Sequence, residues 1–173
     1  MTWNIDVAHS ELGFKIRHMM ISKVKGTFET WTGDVTMSEG GLLEAVNAEV
    51  QVASINTRNG DRDNHLRSGD FFDAESWPTM TFTSTHIERT GGALHIKGNL
   101  TIRDQTRPVT LSVEQGGSGK DPWGNFRVGY SGKTTLSRKD FGLTWNQALE
   151  TGGVLVGDEV EVEFEVQLLK PGS

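Results

Sequence analysis

The chain has 173 residues, 21 of them glycine and none cysteine, and 17 basic against 23 acidic side chains give a formal net charge of -6. This length suits a single domain, here residues 1–173, and the lack of cysteine excludes disulfides, thiolate nucleophiles and cysteine-ligated zinc. An acidic chain without a basic tract is a poor partner for nucleic acid, because phosphate binding needs a surface rich in lysine and arginine.

Period-two alternation of apolar and polar residues dominates the chain and predicts β-strands, because a helix would scatter these residues around its circumference. The clearest example is residues 159–168, where apolar side chains share one face while acidic side chains and a glutamine take the other. The same pattern predicts strands near residues 3–6, 11–19, 25–37, 43–55, 78–88, 93–103, 108–115, 126–138 and 158–169.

Turn-forming residues separate these strands, most clearly at residues 38–41, 90–92, 104–108 and 116–119. Short glycine-rich connections join neighbouring strands as antiparallel hairpins rather than as βαβ units. A meander of this kind hides its apolar faces by closing into a barrel or by folding into a sandwich.

Small residues at predicted interior positions favour a cavity, because the interior of an eight-stranded barrel is just wide enough for side chains or one small ligand. Gly98 and Ala48 would leave volume unfilled at their levels. Small residues where a barrel tapers explain the same pattern equally well, so these two positions alone do not decide.

Residues 58–77 depart from the strand pattern. The polar stretch from Asn59 to Arg67 predicts one short helix, and Asp70 is placed to cap a second helical turn over residues 71–76. The Trp77-Pro78 pair would end that turn, because the residue before a proline is pushed out of the helical region.

A series of short motifs runs in order along nearly the whole chain. The motifs are Trp3-Asn4-Ile5-Asp6, His9-Ser10, Phe14–Met19, Gly26-Thr27-Phe28, Ser54–Thr57, Arg62–Ser68, Asp70–Asp73, Pro78–Ser84, Gly98–Ile102, Arg107-Pro108-Val109, Ser137–Gly142 and Val156–Val160. This ordered set resembles the YceI-like family of lipocalin-like, polyisoprenoid-binding proteins. The resemblance implies an all-β fold, an extended lipocalin-like antiparallel β-barrel of about eight strands with a short helical excursion near residues 59–76.

The resemblance also implies a function, namely that the central pore holds a long apolar lipid for transport, storage or sequestration. A polyisoprenoid, an isoprenoid quinone or a fatty amide would fit, and no cofactor is expected besides this ligand. Three signals give the candidate lipid-binding residues: alternation, the inward parity of His18, and a loop expected to plug or line one barrel end. These residues are Phe14, Ile16, His18, Phe28, Met80, Phe82, Leu100, Ile102, Leu111, Val128, Tyr130, Phe141, Trp145, Val162 and Phe164. From alternation alone, an ordinary filled core explains these residues better than a cavity does, and the resemblance reverses this for the set but not for any single residue.

Catalytic and metal-binding signals are weak. The five histidines show no HxH or HExxH spacing, and the serine in Ser137–Gly142 lies in no GxSxG elbow, so no metal site and no catalytic residue is predicted. Two alternatives stay open: a small hydrolase or isomerase acting on an isoprenoid-like substrate, seeded by His18 with Ser84 or Tyr130, and a non-catalytic, stress-related interaction module. Arg62 or Arg67 could guide an anionic head group at the barrel end.

The first residues carry neither a basic segment nor an apolar one, which favours a cytoplasmic protein, or a periplasmic or secreted one if a signal peptide was removed. No stretch approaches the roughly 20 apolar residues of a membrane-spanning helix, so no stable membrane insertion is expected. Pairing through an exposed strand would make a homodimer, and the sequence leaves this open.

Overall fold

The structure is a computed structural model that describes residues 1–150 and 153–172. In this part of the chain, eleven strands form one antiparallel sheet. The strands are β1 (Thr2–Ile5), β2 (Glu11–His18), β3 (Ser22–Phe28), β4 (Trp31–Met37), β5 (Leu43–Gln51), β6 (Ile55–Asn56), β7 (Thr79–Thr90), β8 (Ala93–Ile102), β9 (Gln105–Lys120), β10 (Phe126–Ser137) and β11 (Val156–Leu169). The α-helix α1 spans Gly60–Arg67, and 3₁₀ turns include Arg138–Phe141.

The sheet closes into a barrel because β1 pairs on one side with β4 and on the other with β11. The closed ring has the order β1-β4-β5-β7-β8-β9-β10-β11, which makes an eight-stranded antiparallel barrel. Above β1, the same edge of β11 pairs with β2, which continues the sheet into β3 and then β6. The predicted barrel architecture is therefore confirmed. One edge of β11 pairs with β1 in its lower part and with β2 in its upper part.

The strand directions place the connections at two ends of the barrel. The upper end contains the turn between β2 and β3, helix α1, and the loop from Arg138 to the start of β11. The lower end contains Met1, the turn between β4 and β5, and the turn between β9 and β10. Buried apolar side chains such as Trp3, Val35 and Leu168 pack together in the lower half.

The predicted helix is present as α1, although eight mostly polar residues are too few to form a stable helix alone. Hydrogen bonds fix it to the sheet instead. The Asn59 side chain caps the helix by accepting the N–H of Arg62, and the buried Asp63 accepts bonds from both the N–H and the hydroxyl of Thr57. Arg67 donates to backbone carbonyls before the helix. No helix in the described ranges is long and apolar enough to cross a membrane.

The predicted second helical turn over residues 71–76 is wrong. The chain there forms non-helical turns, because the N–H groups of Phe72 and Ala74 bond back to the carbonyls of Leu66 and Arg67 at the end of α1. Asp73 also takes a positive φ of 48°, which a right-handed helix excludes.

Several strand boundaries also differ from the predictions, and β9 begins at Gln105, inside the predicted turn over residues 104–108. The segment predicted as one strand over residues 25–37 breaks after Phe28, because β3 pairs with β2 whereas β4 pairs with β1 and β5. The predicted strand over 43–55 ends at Gln51 and gives way to a 3₁₀ turn before β6. The predicted turn at 116–119 is instead strand, since β9 pairs with β10 as far as Lys120.

An ion-pair network closes the lower end. Arg127 on β10 donates from Nη1 to Asp6 Oδ2 at 2.6 Å and from Nε to Asp121 Oδ2 at 2.8 Å. Asp121 also accepts the backbone N–H groups of Trp123 and Asn125, so it shapes the turn between β9 and β10. The hydrogen bond from Arg127, followed by these backbone bonds, lowers the pKa of Asp121 to about 2.

We predict that Asp121→Asn destabilises the protein in a pH-dependent way. The pKa of this carboxyl is lower in the folded chain, about 2, than in an unfolded chain, about 3.9. Its stabilisation is therefore complete above about pH 4 and is lost as the pH falls towards about 2. The variant should melt below wild type at neutral pH, and the difference should vanish near pH 2, as measured by thermal unfolding.

Glu39→Gln, in an exposed turn at the same end, is the matched control and should melt like wild type at every pH. A melting-temperature deficit of Asp121→Asn that is equally large at neutral and acidic pH would show that the ionised carboxylate is not what stabilises this end.

Candidate functional site

An elongated cavity of about 360 Å³ lies inside the barrel. Along β11 its lining residues run from Val156 to Leu168, so the cavity follows this strand from the upper end towards the lower one. Nearly all of the lining side chains are apolar. The charged and imidazole side chains among them lie at the upper end: His18, Arg62, His65 and Arg138. The volume is within the range of about 300–1,000 Å³ typical of small-molecule sites.

The structure brings almost all of the predicted lipid-binding residues together around this cavity. Those that line it are Phe14, Ile16, His18, Phe28, Met80, Phe82, Leu100, Ile102, Leu111, Tyr130, Phe141, Trp145, Val162 and Phe164. Val128 is the exception. It lies opposite Leu168 and is buried in the lower cluster with Trp3, so it supports the cavity from below and does not line it. Contact of the lining residues with lipid stays a prediction.

Sequence reasoning missed further lining residues of two kinds. Leu12, Val24 and Val160 have the same parity as their predicted neighbours, so a stricter use of alternation would have included them. Leu66 and Phe71 come from α1 and the turns after it, where no periodic pattern exists to indicate an inward direction.

The two sides of the cavity differ in how well they are packed. On the side formed by β5, β7 and β8, most lining residues, such as Val50, Met80 and Ile102, are at least 92% buried, and Val46, Ala48 and Leu100 are half-buried. On the side formed by β2 and β11, Ile16 and Val162 line the cavity yet remain only half-buried. The protein's own side chains therefore leave an apolar wall in contact with solvent, and a ligand that covered this wall would gain free energy.

Three phenylalanine rings lie directly over glycines of the neighbouring strand. A Cβ built on Gly26 would lie 2.4 Å from the Phe14 ring, and one on Gly132 would lie 2.2 Å from the Phe164 ring. Gly98 has the same relation to Phe82, at 2.5 Å. The prediction that Gly98 leaves unfilled volume is therefore wrong, because the Phe82 ring occupies that space. The glycines instead leave room beside the wall for these rings, which line the cavity.

A buried arginine organises the upper end. Arg138 is only 5% exposed, and its guanidinium donates to the carbonyls of Gly157 at 2.8 Å, Leu143 at 3.0 Å, Trp145 at 3.2 Å and Val156 at 3.3 Å. Burial lowers the pKa of Arg138, and Asp158 nearby partly opposes this shift. Because these bonds tie the loop after β10 to the start of β11, Arg138 has a structural role at the cavity end.

An aromatic cluster lies beside this arginine. The His65 ring packs edge-on against Trp145 at 4.6 Å and against Phe71 at 5.0 Å between centroids. The Arg138 guanidinium lies 5.9 Å from the Phe71 ring centre, and His65 Nε2 is 2.9 Å from an Asp70 carboxylate oxygen. The upper end of the cavity thus combines several aromatic faces with charged and imidazole hydrogen-bonding groups.

The pairs suggested as seeds of a catalytic site do not form. His18 lies opposite Val156 of β11 and Tyr130 opposite Val166, ten residues further along that strand, so the two side chains lie far apart along the barrel. Ser84 does not line the cavity, and its hydroxyl accepts the N–H of Val46. Within residues 1–150 and 153–172, no three histidine, aspartate or glutamate side chains converge as a metal-binding group would.

We predict that Gly132→Ala forces the Phe164 ring off the wall and into the lumen. The new Cβ would overlap the ring, and overpacking of this kind typically costs about 1–3 kcal/mol. Urea unfolding should show this loss. Gly129→Ala on the same strand is the matched control, because its Cβ would meet no atom closer than 3.7 Å. Phe164→Leu should restore part of the stability of Gly132→Ala, whereas equal stability of the two alanine variants would contradict the packing described.

Comparison with solved structures supports this architecture. BcnA of Burkholderia cenocepacia is similar with a TM-score of 0.81 and 22% identity, covering 94% of this chain and 98% of that chain. A YceI protein of Campylobacter jejuni has a TM-score of 0.76 and 32% identity over 95% of both chains. A structure described as a polyisoprenoid binding domain from Saccharophagus degradans has a TM-score of 0.71 and 14% identity, covering 98% of both.

Comparison of sequences gives the same result. A UPF0312 protein of Staphylococcus epidermidis is 40% identical over 170 residues, which are 95% of each chain. A UPF0312 protein of Vibrio vulnificus is 40% identical over 138 residues, 79% of this chain and 73% of the relative. The family model described as the YceI-like domain matches residues 3–168. The chain therefore belongs to the YceI-like family.

Proposed function

We propose that this protein binds a long apolar lipid in the barrel cavity, for transport, storage or sequestration. A polyisoprenoid, an isoprenoid quinone or a fatty amide has the required shape and apolar surface. The observation that carries the proposal is the half-buried apolar wall of β2 and β11, with Ile16 and Val162 facing a lumen that the chain's own side chains leave open.

Burial of a hydrocarbon chain supplies enough free energy for such binding. Each buried methylene contributes about 0.8 kcal/mol, so a five-carbon isoprene unit contributes roughly 3–4 kcal/mol before association costs. Those costs are about 4–15 kcal/mol, so a few units are sufficient for micromolar affinity. No catalytic group is needed, which is why we propose a binding protein rather than an enzyme.

The polarity of the cavity gives the lipid a direction. The lower end is closed by packed apolar residues including Trp3 and Leu168, so it suits the tail. The upper end has the imidazole of His18 and the guanidinium groups of Arg62 and Arg138. A polar head group would therefore lie at the upper end.

The hydrogen bonds at the upper end favour an uncharged head group. Arg138 directs its guanidinium at backbone carbonyls, and Arg62 bonds the hydroxyl and carbonyl of Thr57. Arg67, which lies outside the cavity lining, bonds the carbonyls of Ala53 and Ile55. These N–H donors are already bonded to the chain, so they do not form a pair of bonds to a phosphate in the lumen. A quinone carbonyl or an amide therefore suits the site better than a phosphate.

The fold comparison is consistent with this proposal. The Saccharophagus degradans structure shares the fold at 14% identity and is described as a polyisoprenoid binding domain. At that identity it supports only the capacity of such a barrel to accommodate a lipid.

We predict that Val162→Asp lowers uptake of a prenyl lipid at least about tenfold, because the carboxylate would stand unpaired in the apolar lumen. Val162 is half-buried between Phe14 and Thr134, so the variant should still fold. Ser112→Asp, on the exposed outer face of β9, is the control and should bind like wild type. Uptake is measured by native mass spectrometry, on the fresh protein and after titration with a prenyl lipid.

Wild-type protein should carry a lipid of defined mass or take one up on titration. A homogeneous ligand-free mass throughout the titration would refute the proposal. Full uptake by folded Val162→Asp would show that lipid binds elsewhere than in the barrel lumen.

A further inference from the structure

The turn between β2 and β3 exposes three consecutive apolar side chains at the upper end. Met19, Met20 and Ile21 are 46%, 47% and 83% exposed, respectively. Val154, on the loop leading to β11, is also exposed, and Met20 lies against the backbone of Gly153 beside it. We call Met19–Ile21 together with Val154 the apolar tip.

The backbone of this turn is unfavourable for the residues that form it. Met19 and Met20 have φ values of 55° and 63°, in the left-handed region that disfavours residues with a Cβ. Hairpin turns with two such positions usually carry asparagine, aspartate or glycine. Two methionines here therefore cost stability in the turn, while nearly half of each side chain stays exposed. Backbone strain of this kind indicates a functional role for the side chains.

The apolar tip is continuous with the upper end of the cavity. His18, immediately before the tip, lines the cavity, and so do Leu155 and Val156 immediately after Val154. A hydrogen bond of 2.7 Å from the N–H of Met19 to the carbonyl of Leu155 joins the two segments. Any surface that covers the tip therefore lies next to the end where a lipid would enter or leave.

We propose that the apolar tip docks on a phospholipid bilayer and places the cavity against it for lipid transfer; this inference rests on the proposed lipid-binding function. The tip is too short to span a bilayer, and its depth suits the boundary between head groups and acyl chains. Arg17 and Lys23 flank the tip, where cations would meet lipid phosphates, although Lys23 also pairs with Glu161 at 3.0 Å. Four exposed apolar side chains next to these cations favour a lipid surface over a protein partner.

The test compares wild type with Ile21→Asp, which puts a charge at the most exposed tip position without touching a cavity-lining residue. Leu42→Asp is the matched control, since Leu42 is 54% exposed at the lower end. Each protein is floated with phosphatidylcholine vesicles, and transfer of a fluorescent polyprenol from the vesicles is timed. Uptake of the same polyprenol added from ethanol, without vesicles, is measured separately.

Ile21→Asp should lower both vesicle binding and transfer rate about tenfold, the factor expected when one large aliphatic side chain is no longer buried. Leu42→Asp should match wild type, and all three proteins should take up polyprenol equally from ethanol. Normal flotation and transfer by Ile21→Asp would overturn the proposal, as would equal losses in Leu42→Asp. A wild-type dimer that Ile21→Asp dissociates would also overturn it, by assigning the tip to a second copy of the chain.

The two proposals fail separately in this experiment. Uptake from ethanol without any vesicle binding would refute docking and leave lipid binding intact. Vesicle binding that depends on Ile21, with no polyprenol uptake by either route, would support docking and refute the lipid-binding function.

Discussion

The structure depends on the closure of a sheet whose strands each have a single apolar face. Closure comes from β1, a short strand that pairs with β4 on one side and β11 on the other, so the apolar faces enclose one lumen. This arrangement explains why only 35% of the residues are hydrophobic, since nearly every second strand residue is free to be polar. Because the apolar faces enclose a single lumen, the space that the inward side chains leave unfilled lies in that lumen.

Each half of the barrel contains its own cluster of buried apolar side chains. The lower half is a packed core around Trp3 and Leu168, closed by the bonds of Arg127 to Asp6 and Asp121. The upper half has a second buried cluster that includes Val52, Ile55 and Phe141, beside the half-buried wall of β2 and β11, and its end is held together by side-chain bonds to backbone carbonyls. The two buried clusters let the wall of β2 and β11 remain open without loss of the fold.

The sequence predicted features that depend on local pattern. Alternation identified the inward faces of β2, β8 and β11, and the order of short motifs identified the family. Alternation does not show how far along the barrel an inward residue lies, so it predicted Val128 as a lining residue although it packs in the lower cluster. It also does not show which side chain lies over a glycine, so it predicted unfilled space at Gly98, where the Phe82 ring lies. The length of β9 and the break after Phe28 follow from strand pairing between distant segments, which no local window contains. Leu66 and Phe71 line the cavity from a polar helix and irregular turns, where no periodic pattern indicates which side chains face inward.

The most direct test of the central claim is a crystal structure of the protein loaded with a polyprenol. The account predicts continuous density for the chain inside the barrel, in contact with Ile16, Val162 and Phe164 and with its head group near His18. An empty or collapsed lumen, with polyprenol density on the outer surface of the sheet, would contradict it.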